Sequence, residues 1–458
     1  MDTMSPLDAS FLHIEDAVSH MHIASVAIFE GPAPAYEDVV GMFRGKLPLV
    51  PRYRQVVRFV PFQLGRPVWV DDPHFNLEYH IRHTALPPPG TEEDLRRLVG
   101  RVMSQRLDRA KPLWEVWMVE GLQDDRWAIL SKTHHCMVDG VSGTDLLSVV
   151  MDDSPTPSPP LPDDWRPEPA PVSTALAVRA VADTARSPYE QFRAFRARMR
   201  APRQFAEQLG EAGRGLRSMA GLVRPTPPSS LNGPIGPHRR YAWATTTLDD
   251  VKAVRKGLGG TVNDVVLTAI TRGFRDLLLS RGESVEDRVV RTLVPVSVRT
   301  PGEKGTYDNQ VSAMFAALPV GIEEPAARLE AIRTQMDGLK ESKQAVAGER
   351  LTRLGGFAPP MLLALGTRVA SRVPQRNINT VTTNVPGPQT PLYAAGRRML
   401  RAFPYVPLAG SVRVGVAIFS YCGEINFGVT GDYDTAPDIE VLCCGIEEGM
   451  AELLKLAS

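Results

Sequence analysis

Apolar and polar positions alternate with period two in some stretches of this chain and recur every three or four residues in others. Residues 22–31 (HIASVAIFEG) and 126–135 (RWAILSKTHH) alternate as strands do, whereas residues 92–107 (EEDLRRLVGRVMSQRL) carry an amphipathic helical pattern. Further along, residues 263–282 (NDVVLTAITRGFRDLLLSRG) predict a helix with Val266, Ile270 and Phe274 on one face. Residues 291–298 (RTLVPVSV), 411–421 (SVRVGVAIFSY) and 425–433 (INFGVTGDY) predict strands. Both ends of the chain thus mix strand and helix, which predicts an α/β class with mixed sheets assembled as two related halves.

Two breakers separate those halves. Residues 153–171 (DSPTPSPPLPDDWRPEPAP) hold too much proline for a helix or a central strand. From Thr174 to about Met219 a helical pattern follows, with Phe192, Phe195 and Met199 on one face and arginines at 193, 196, 198, 200 and 203. Residues 224–240 (RPTPPSSLNGPIGPHRR) then break the helix. The expected division is a first half over 1–152, a Pro-rich linker and helical crossover over 153–235, and a second half over 236–458. The arginines of the crossover suit anionic headgroups or a solvated face, and interrupting acids (Glu190, Glu207, Glu211) favour the latter.

Composition narrows the function. A length of 458 residues asks for two domains or subdomains, and 43% hydrophobic with 23% charged residues is ordinary for a soluble globular chain. Lysine plus arginine equals aspartate plus glutamate at 52 each, so no global basic field is available to hold nucleic acid. Cys136, Cys422, Cys443 and Cys444 form no CxxC pair, which favours a reducing, cytoplasmic setting over a disulfide framework or a zinc site. The first residues do not read as a signal peptide, and no run of about 18 apolar residues appears, so membrane contact is expected to be peripheral.

The candidate chemistry lies in residues 131–143, SKTHHCMVDGVSG. On a strand His134 and His135 point to opposite faces, so one serves a reaction while the other positions it or packs. Asp139 and Gly140 suit a tight turn that returns the carboxylate towards the strand end. An oriented imidazole can take a proton from a hydroxyl at neutral pH, worth roughly 10²–10⁴-fold in rate. A covalent route would want a G-x-S-x-G elbow, which the chain lacks, and adjacent histidines chelate one metal ion poorly. Direct attack of a bound alcohol on a thioester fits best. The spacing of His134 and Asp139 also matches the H-x₄-D pattern of glycerophosphate acyltransferases, and spacing alone leaves a structural role for HH…DG equally open.

HHCMVDG resembles the HHxxxDG motif of the CoA-dependent acyltransferase superfamily. SPLDASFL at 5–12, PLWEVWMVEGL at 112–122, TVNDVVLTAI at 261–270, LVPVSVR at 293–299 and TTNVPGP at 382–388 narrow the resemblance. Together they resemble the bacterial wax ester synthase/diacylglycerol acyltransferase family, above all its mycobacterial triacylglycerol synthases, from about residue 4 to 453. The resemblance implies two chloramphenicol-acetyltransferase-like halves with an active-site channel between them. It implies His135 as general base, with His134, Asp139 and Gly140 holding the site and Arg299 supporting Asp139. The substrates implied are acyl-CoA as co-substrate and a diacylglycerol or fatty alcohol as acceptor, with no further cofactor, no metal and no acyl-enzyme. Work at a membrane surface or lipid droplet follows from such acceptors; a non-catalytic lipid-droplet protein of the same fold is the contrasting reading.

Three further motifs supply candidates for substrate binding or the oxyanion. Asn263 and Asp264 match the family's ND motif, and Thr261 to Asp264 is also a capping-box pattern that opens a helix. Spare N–H groups there could face a thioester oxyanion. Pro112, Leu113 and Trp114 match its PLW motif, with core packing as the competing role. Asn384 through Pro388 read as a rigid loop of turn residues, and Thr382, Thr383 and Asn384 offer polar contacts to acyl-CoA, with a solvated loop as the equal reading.

Overall fold

In the computed structural model, residues 2–137, 149–180, 182, 227–297, 311–341 and 377–458 are described. The first half contributes α1 (Pro6–Ile14), β1 (His22–Phe29), β2 (Ile81–Ala85), α2 (Glu92–Met103), β3 (Trp114–Leu122) and β4 (Arg126–His134). After residues 157–172, which form neither helix nor strand, come β5 (Arg239–Thr247), α3 (Val262–Ser280), β6 (Val290–Ser297), β7 (Val311–Leu318) and β8 (Thr380–Val385). The chain closes with β9 (Tyr393–Ala394), β10 (Arg397–Tyr405), β11 (Val414–Tyr421), β12 (Glu424–Asp432) and α4 (Ile439–Ala457).

Two six-stranded mixed sheets organise these elements. The first has the order β9-β10-β1-β4-β3-β2, with only β2 and β3 parallel. The second has the order β7-β6-β8-β11-β12-β5, in which β8 runs parallel to both its neighbours. The mixed-sheet expectation therefore stands. The strands are not shared out by chain order alone: β9 and β10, from the second half, extend the first sheet through β1.

The predicted apolar stripes that fall among the described residues find their cores, whereas the crossover stripe of Phe192, Phe195 and Met199 lies outside the described residues. Val266, Ile270 and Phe274 of α3 are fully buried with Leu442 and Ile446 of α4 against the second sheet. Along β4, Trp127 and Ile129 enter one core with Val116 and Met118 of β3. Ala128 and Leu130 enter another with Leu95, Leu98 and Val99 of α2. The alternation forced by a pleated strand thus separates the two cores. The α2-side core also takes Tyr241 and Trp243 from β5 and Phe403 and Tyr405 from β10, so it joins the sheets. Trp243 stacks on Phe403 at 4.3 Å, and the Tyr241 hydroxyl donates to the Pro404 carbonyl at 2.8 Å.

Two expectations change. The strand read through His135 stops at His134, and His135–Met137 form a 3₁₀ turn. The stretch read as a loop from Asn384 begins inside β8, and only from Pro386 does it leave the strand. Gly387 in that loop is dictated by proximity, since a Cβ there would lie 2.2 Å from the Ser420 carbonyl oxygen. Among the described residues, no helix is long and apolar enough to cross a membrane.

The sheets approach closely at Gly428 of β12, where an added Cβ would sit 1.7 Å from the Pro404 oxygen and 2.8 Å from the Tyr241 hydroxyl. Gly428→Ala is expected to force the sheets apart and cost about 3 kcal/mol, read as a lowered denaturation midpoint with unchanged slope.

Candidate active site

Ser5 begins the site from a distance: as N-cap it accepts from the Asp8 N–H, and Pro6 supplies the fixed backbone angle of the first helical turn. The helix so started, α1, is short, and its last turn carries Phe11 and ends at Glu15. Phe11 stacks on the His135 ring with centroids 4.0 Å apart. Glu15, whose side chain is 1% exposed, projects into the ends of β1 and β4.

There the sheet register supplies histidines. His22 of β1 pairs directly with His134 of β4, so their side chains stand on the same face of adjacent strands. Their rings meet edge to face at 5.7 Å, and His20 lies 5.8 Å from His22. Glu15 approaches His22 Nε2 at 3.2 Å and His134 Nε2 at 3.8 Å. The same carboxylate accepts from Arg109 Nε at 2.8 Å and Nη2 at 2.5 Å, and from Arg106 at 3.3 Å. Burial alone would raise the Glu15 carboxyl, but His134, His22 and Arg109 outweigh it and hold the group well below the usual carboxylate range. Burial pushes His22 down to about 3 and lowers His134 as well, although Glu15 opposes both shifts. The two imidazoles are therefore neutral at pH 7, and the arginines balance the buried anion.

Backbone hydrogen bonds fix the histidine pair. The His134 N–H donates to the Leu113 carbonyl at 2.9 Å and the His135 N–H to the Met21 carbonyl at 2.8 Å. The Cys136 N–H donates to His134 Nδ1 at 3.1 Å. Since Nδ1 accepts, neutral His134 carries its proton on Nε2, the nitrogen turned to Glu15. His134 is thus committed to the cluster. His135 leaves the strand in the 3₁₀ turn and is only half-buried. Its Nδ1 is buried without a partner among the described residues, so Nε2 is the nitrogen left to meet a substrate. Burial pushes this imidazole down to about 4, against a weak opposing pull from its own carbonyl, which leaves it neutral at pH 7.

Pro112, Leu113 and Trp114 are buried. Trp114 stacks on His80 at 4.4 Å, lies against Tyr53 and donates from Nε1 to the Tyr53 carbonyl at 2.8 Å. What this motif contributes to the histidines is the Leu113 carbonyl. Beside it Lys132, two residues before His134 on the same strand face, is wholly buried. Its ammonium donates to the carbonyls of Val102 and Gln105 at the end of α2, and burial pushes it down to about 8.

From the second half the structure brings Asn263 and Asn384 together. The capping box at the start of α3 is complete: Thr261 Oγ1 accepts from the Asp264 N–H, and Asp264 Oδ2 accepts from both the Thr261 N–H and hydroxyl, each at 2.8 Å. Asp264 is therefore taken up by the cap. Asn263 beside it accepts from Asn384 Nδ2 at 3.3 Å, which leaves its own amide N–H groups available. Thr383 points to the opposite strand face from Asn384. No hydrogen bond joins this amide pair to His135 among the described residues. Asp139, Gly140 and Arg299 lie outside the described residues.

Sequence reasoning passed over Glu15, His20, His22, Arg106, Arg109 and Phe11. A signal was present: SHMH places two of the chain's nine histidines at strand spacing, and Glu15 follows the N-terminal helical motif directly. Glu15→Ala is expected to strand two arginines and cost about 3 kcal/mol, towards the lower end for a broken buried pair because Arg106 and Arg109 remain part-exposed. Glu15→Gln should cost less, and thermal denaturation of the two variants beside wild type checks the order.

Residues 4–266 match the model of the wax ester synthase/diacylglycerol acyltransferase catalytic domain, and residues 307–454 match that of the WS/DGAT C-terminal domain. A probable diacylglycerol O-acyltransferase, tgs1, of Mycobacterium tuberculosis is 39% identical over 100% of this chain and 96% of its own. A second, putative diacylglycerol O-acyltransferase of that organism is 32% identical over 100% of this chain and 92% of its own. Among solved structures, the wax ester synthase/diacylglycerol acyltransferase of Marinobacter aquaeolei VT8 superposes with a TM-score of 0.69 at 26% identity, covering 99% of each chain. The starter condensation domain of rhizomide synthetase, in complex with C8-CoA and Leu-SNAC, shares the fold at a TM-score of 0.59 and 13% identity, covering 100% of this chain and 94% of that one. The chain belongs to the wax ester synthase/diacylglycerol acyltransferase family of O-acyltransferases.

Proposed function

We propose that this protein is an acyl-CoA:diacylglycerol O-acyltransferase that makes triacylglycerol, with His135 as general base. The observation that carries the reading is the placement of His135: it leaves the strand in a 3₁₀ turn, stacks on Phe11 and is half-buried, with Nδ1 buried and Nε2 left for a substrate. In the reaction the acceptor hydroxyl gives its proton to Nε2 as its oxygen attacks the thioester carbonyl. The tetrahedral intermediate collapses with loss of CoA thiolate, which takes the proton back from the imidazolium. No acyl-enzyme is required. The ring plane is held by Phe11, and its backbone by Met21. His134 positions rather than reacts, being held by Cys136 and Glu15.

The relatives' names support diacylglycerol as acceptor, and the C8-CoA bound by the condensation domain supports acyl-CoA as donor. The dual name of the Marinobacter relative supports fatty alcohols as a second acceptor class. For the oxyanion, the free amide of Asn263 and the spare N–H groups of Val262 and Asn263 at the start of α3 are the donors in this reading. In this reading Asp139 and Gly140 support the histidine pair and Arg299 supports Asp139, the roles that the HHxxxDG resemblance gives them. With an acceptor that resides in lipid, the enzyme works at the inner membrane surface or at lipid droplets.

CoA release from palmitoyl-CoA with diolein or hexadecanol as acceptor tests the proposal. Wild type should release CoA with diolein, and His135→Ala should lose about 10³-fold or more. Hexadecanol-only turnover would make it a wax synthase, and no turnover would leave the histidines a scaffold. Because the His135 pKa is depressed, the base form persists down to about 4. The acid limb of kcat/KM should therefore lie well below an ordinary imidazole, with little loss between about pH 8 and about pH 5. Asn263→Ala is expected to lower kcat about 10²-fold with little change in stability, whereas Asp264→Ala should cost about 1 kcal/mol of stability through the lost cap.

A further inference from the structure

Away from the histidine cluster, residues 58–62 read RFVPF, and three of the five side chains are exposed: Arg58, Phe59 and Phe62. Phe62 is 84% exposed, far more than a phenylalanine ordinarily is. Its backbone and that of Gln63 lie in the left-handed region, with φ of 55° at both. That conformation is uncommon for residues with a side chain. Val60 between the two phenylalanines is buried, in a small core with Val56, Val68 and Val70 and with Leu176 and Ala180 of the helix over 173–180. Val172 and Val178, just before and within that helix, are exposed at 66% and 70%. A firm apolar base thus presents apolar tips outward.

Charge around this loop is one-sided. Between Asp38 and Asp71 the chain carries Arg44, Lys46, Arg52, Arg54, Arg58 and Arg66 and no acid. Lys46, Arg52 and Arg54 reach acids elsewhere, at Asp152, Asp2 and Asp163. Arg66 donates to the Met4 carbonyl, and neither it nor exposed Arg58 has an ion-pair partner among the described residues. The patch also adjoins the proposed base through one helix. His13 of α1 lies 6.4 Å from the Phe59 ring, and Phe11, two residues earlier, is the residue stacked on His135.

We propose that this patch seats the protein on an anionic phospholipid surface. Phe59 and Phe62 enter the acyl boundary, Arg58 and Arg66 meet the headgroups, and the lipid acceptor passes beside α1 to His135. Exposed aromatic tips flanked by arginines are the chemistry that recognises such a surface. The inference rests on the acyltransferase reading for its acceptor, but the seating itself is measurable without turnover.

The experiment is flotation of the full chain with vesicles of phosphatidylcholine alone or with phosphatidylglycerol, for wild type, Phe59→Ser/Phe62→Ser and Arg58→Glu. Wild type should float with the anionic vesicles, and the double variant should partition about tenfold less or weaker still. Arg58→Glu should bind less at low salt, with the difference shrinking as salt rises. Turnover of detergent-dispersed diolein should be unchanged in all three, which separates a seating defect from a misfolded or inactive protein. A wild type that does not float, or a double variant that floats as well as wild type, overturns the proposal. So does a wild-type dimer in sedimentation that the double variant abolishes without any vesicle binding, since a second copy would then be the occupant. A wild type that floats with the anionic vesicles but turns over neither acceptor would count against the acyltransferase reading alone.

Discussion

One buried carboxylate ties together the segments on which the candidate site stands. Glu15 follows α1, His22 opens β1, Arg106 and Arg109 follow α2, and His134 ends β4, and all four partners approach the same side chain. An anion so placed is costly to desolvate, and it is tolerated because two guanidinium groups and two imidazoles surround it. Losing the carboxylate would leave His22 and His134 buried without their shared partner, while Arg106 and Arg109 keep part of their access to water. His135 is the residue immediately after this knot, so its position inherits the precision of the knot.

Adjacent histidines divide the work because the chain changes conformation between them. His134 still obeys the strand and shares a face with Lys132, whose buried ammonium closes the end of α2. His135 has entered a 3₁₀ turn and turns its ring to Phe11 instead. A continuous strand would also have separated the two rings, but it would have sent His135 towards the core occupied by Trp127 and Ile129. The turn takes His135 out of the Trp127 and Ile129 core and sets its ring on Phe11 instead.

The second half holds the first in place and adds polar groups of its own. β10 is hydrogen-bonded to β1, the strand that carries His22, and the Tyr241 hydroxyl and Gly428 press β5 and β12 against β10. A shift between the sheets would therefore disturb the strand beside the histidines. On that rigid base, the start of α3 and the end of β8 set two asparagine amides side by side. The helix does not need Asn263 for its cap, since Thr261 and Asp264 supply it.

How much of this was legible depended on the range of the interaction. Period alone determined the strands and helices, because alternation and the 3.6-residue repeat are local properties; Trp127/Ile129 against Ala128/Leu130, and the stripe Val266–Ile270–Phe274, took the faces expected of them. The capping box at Thr261 and Asp264 was readable for the same reason, since its partners are three residues apart. The 3₁₀ turn at His135 was not, because it is imposed by the Met21 carbonyl and the Phe11 ring, which lie more than a hundred residues away along the chain. The Glu15 cluster and the pairing of Asn263 with Asn384 were hidden likewise, as were β9 and β10 in the first sheet. Each joins residues that only the folded sheets bring within reach, so the sequence by itself determined the elements and the candidate base, and tertiary structure decided what surrounds that base.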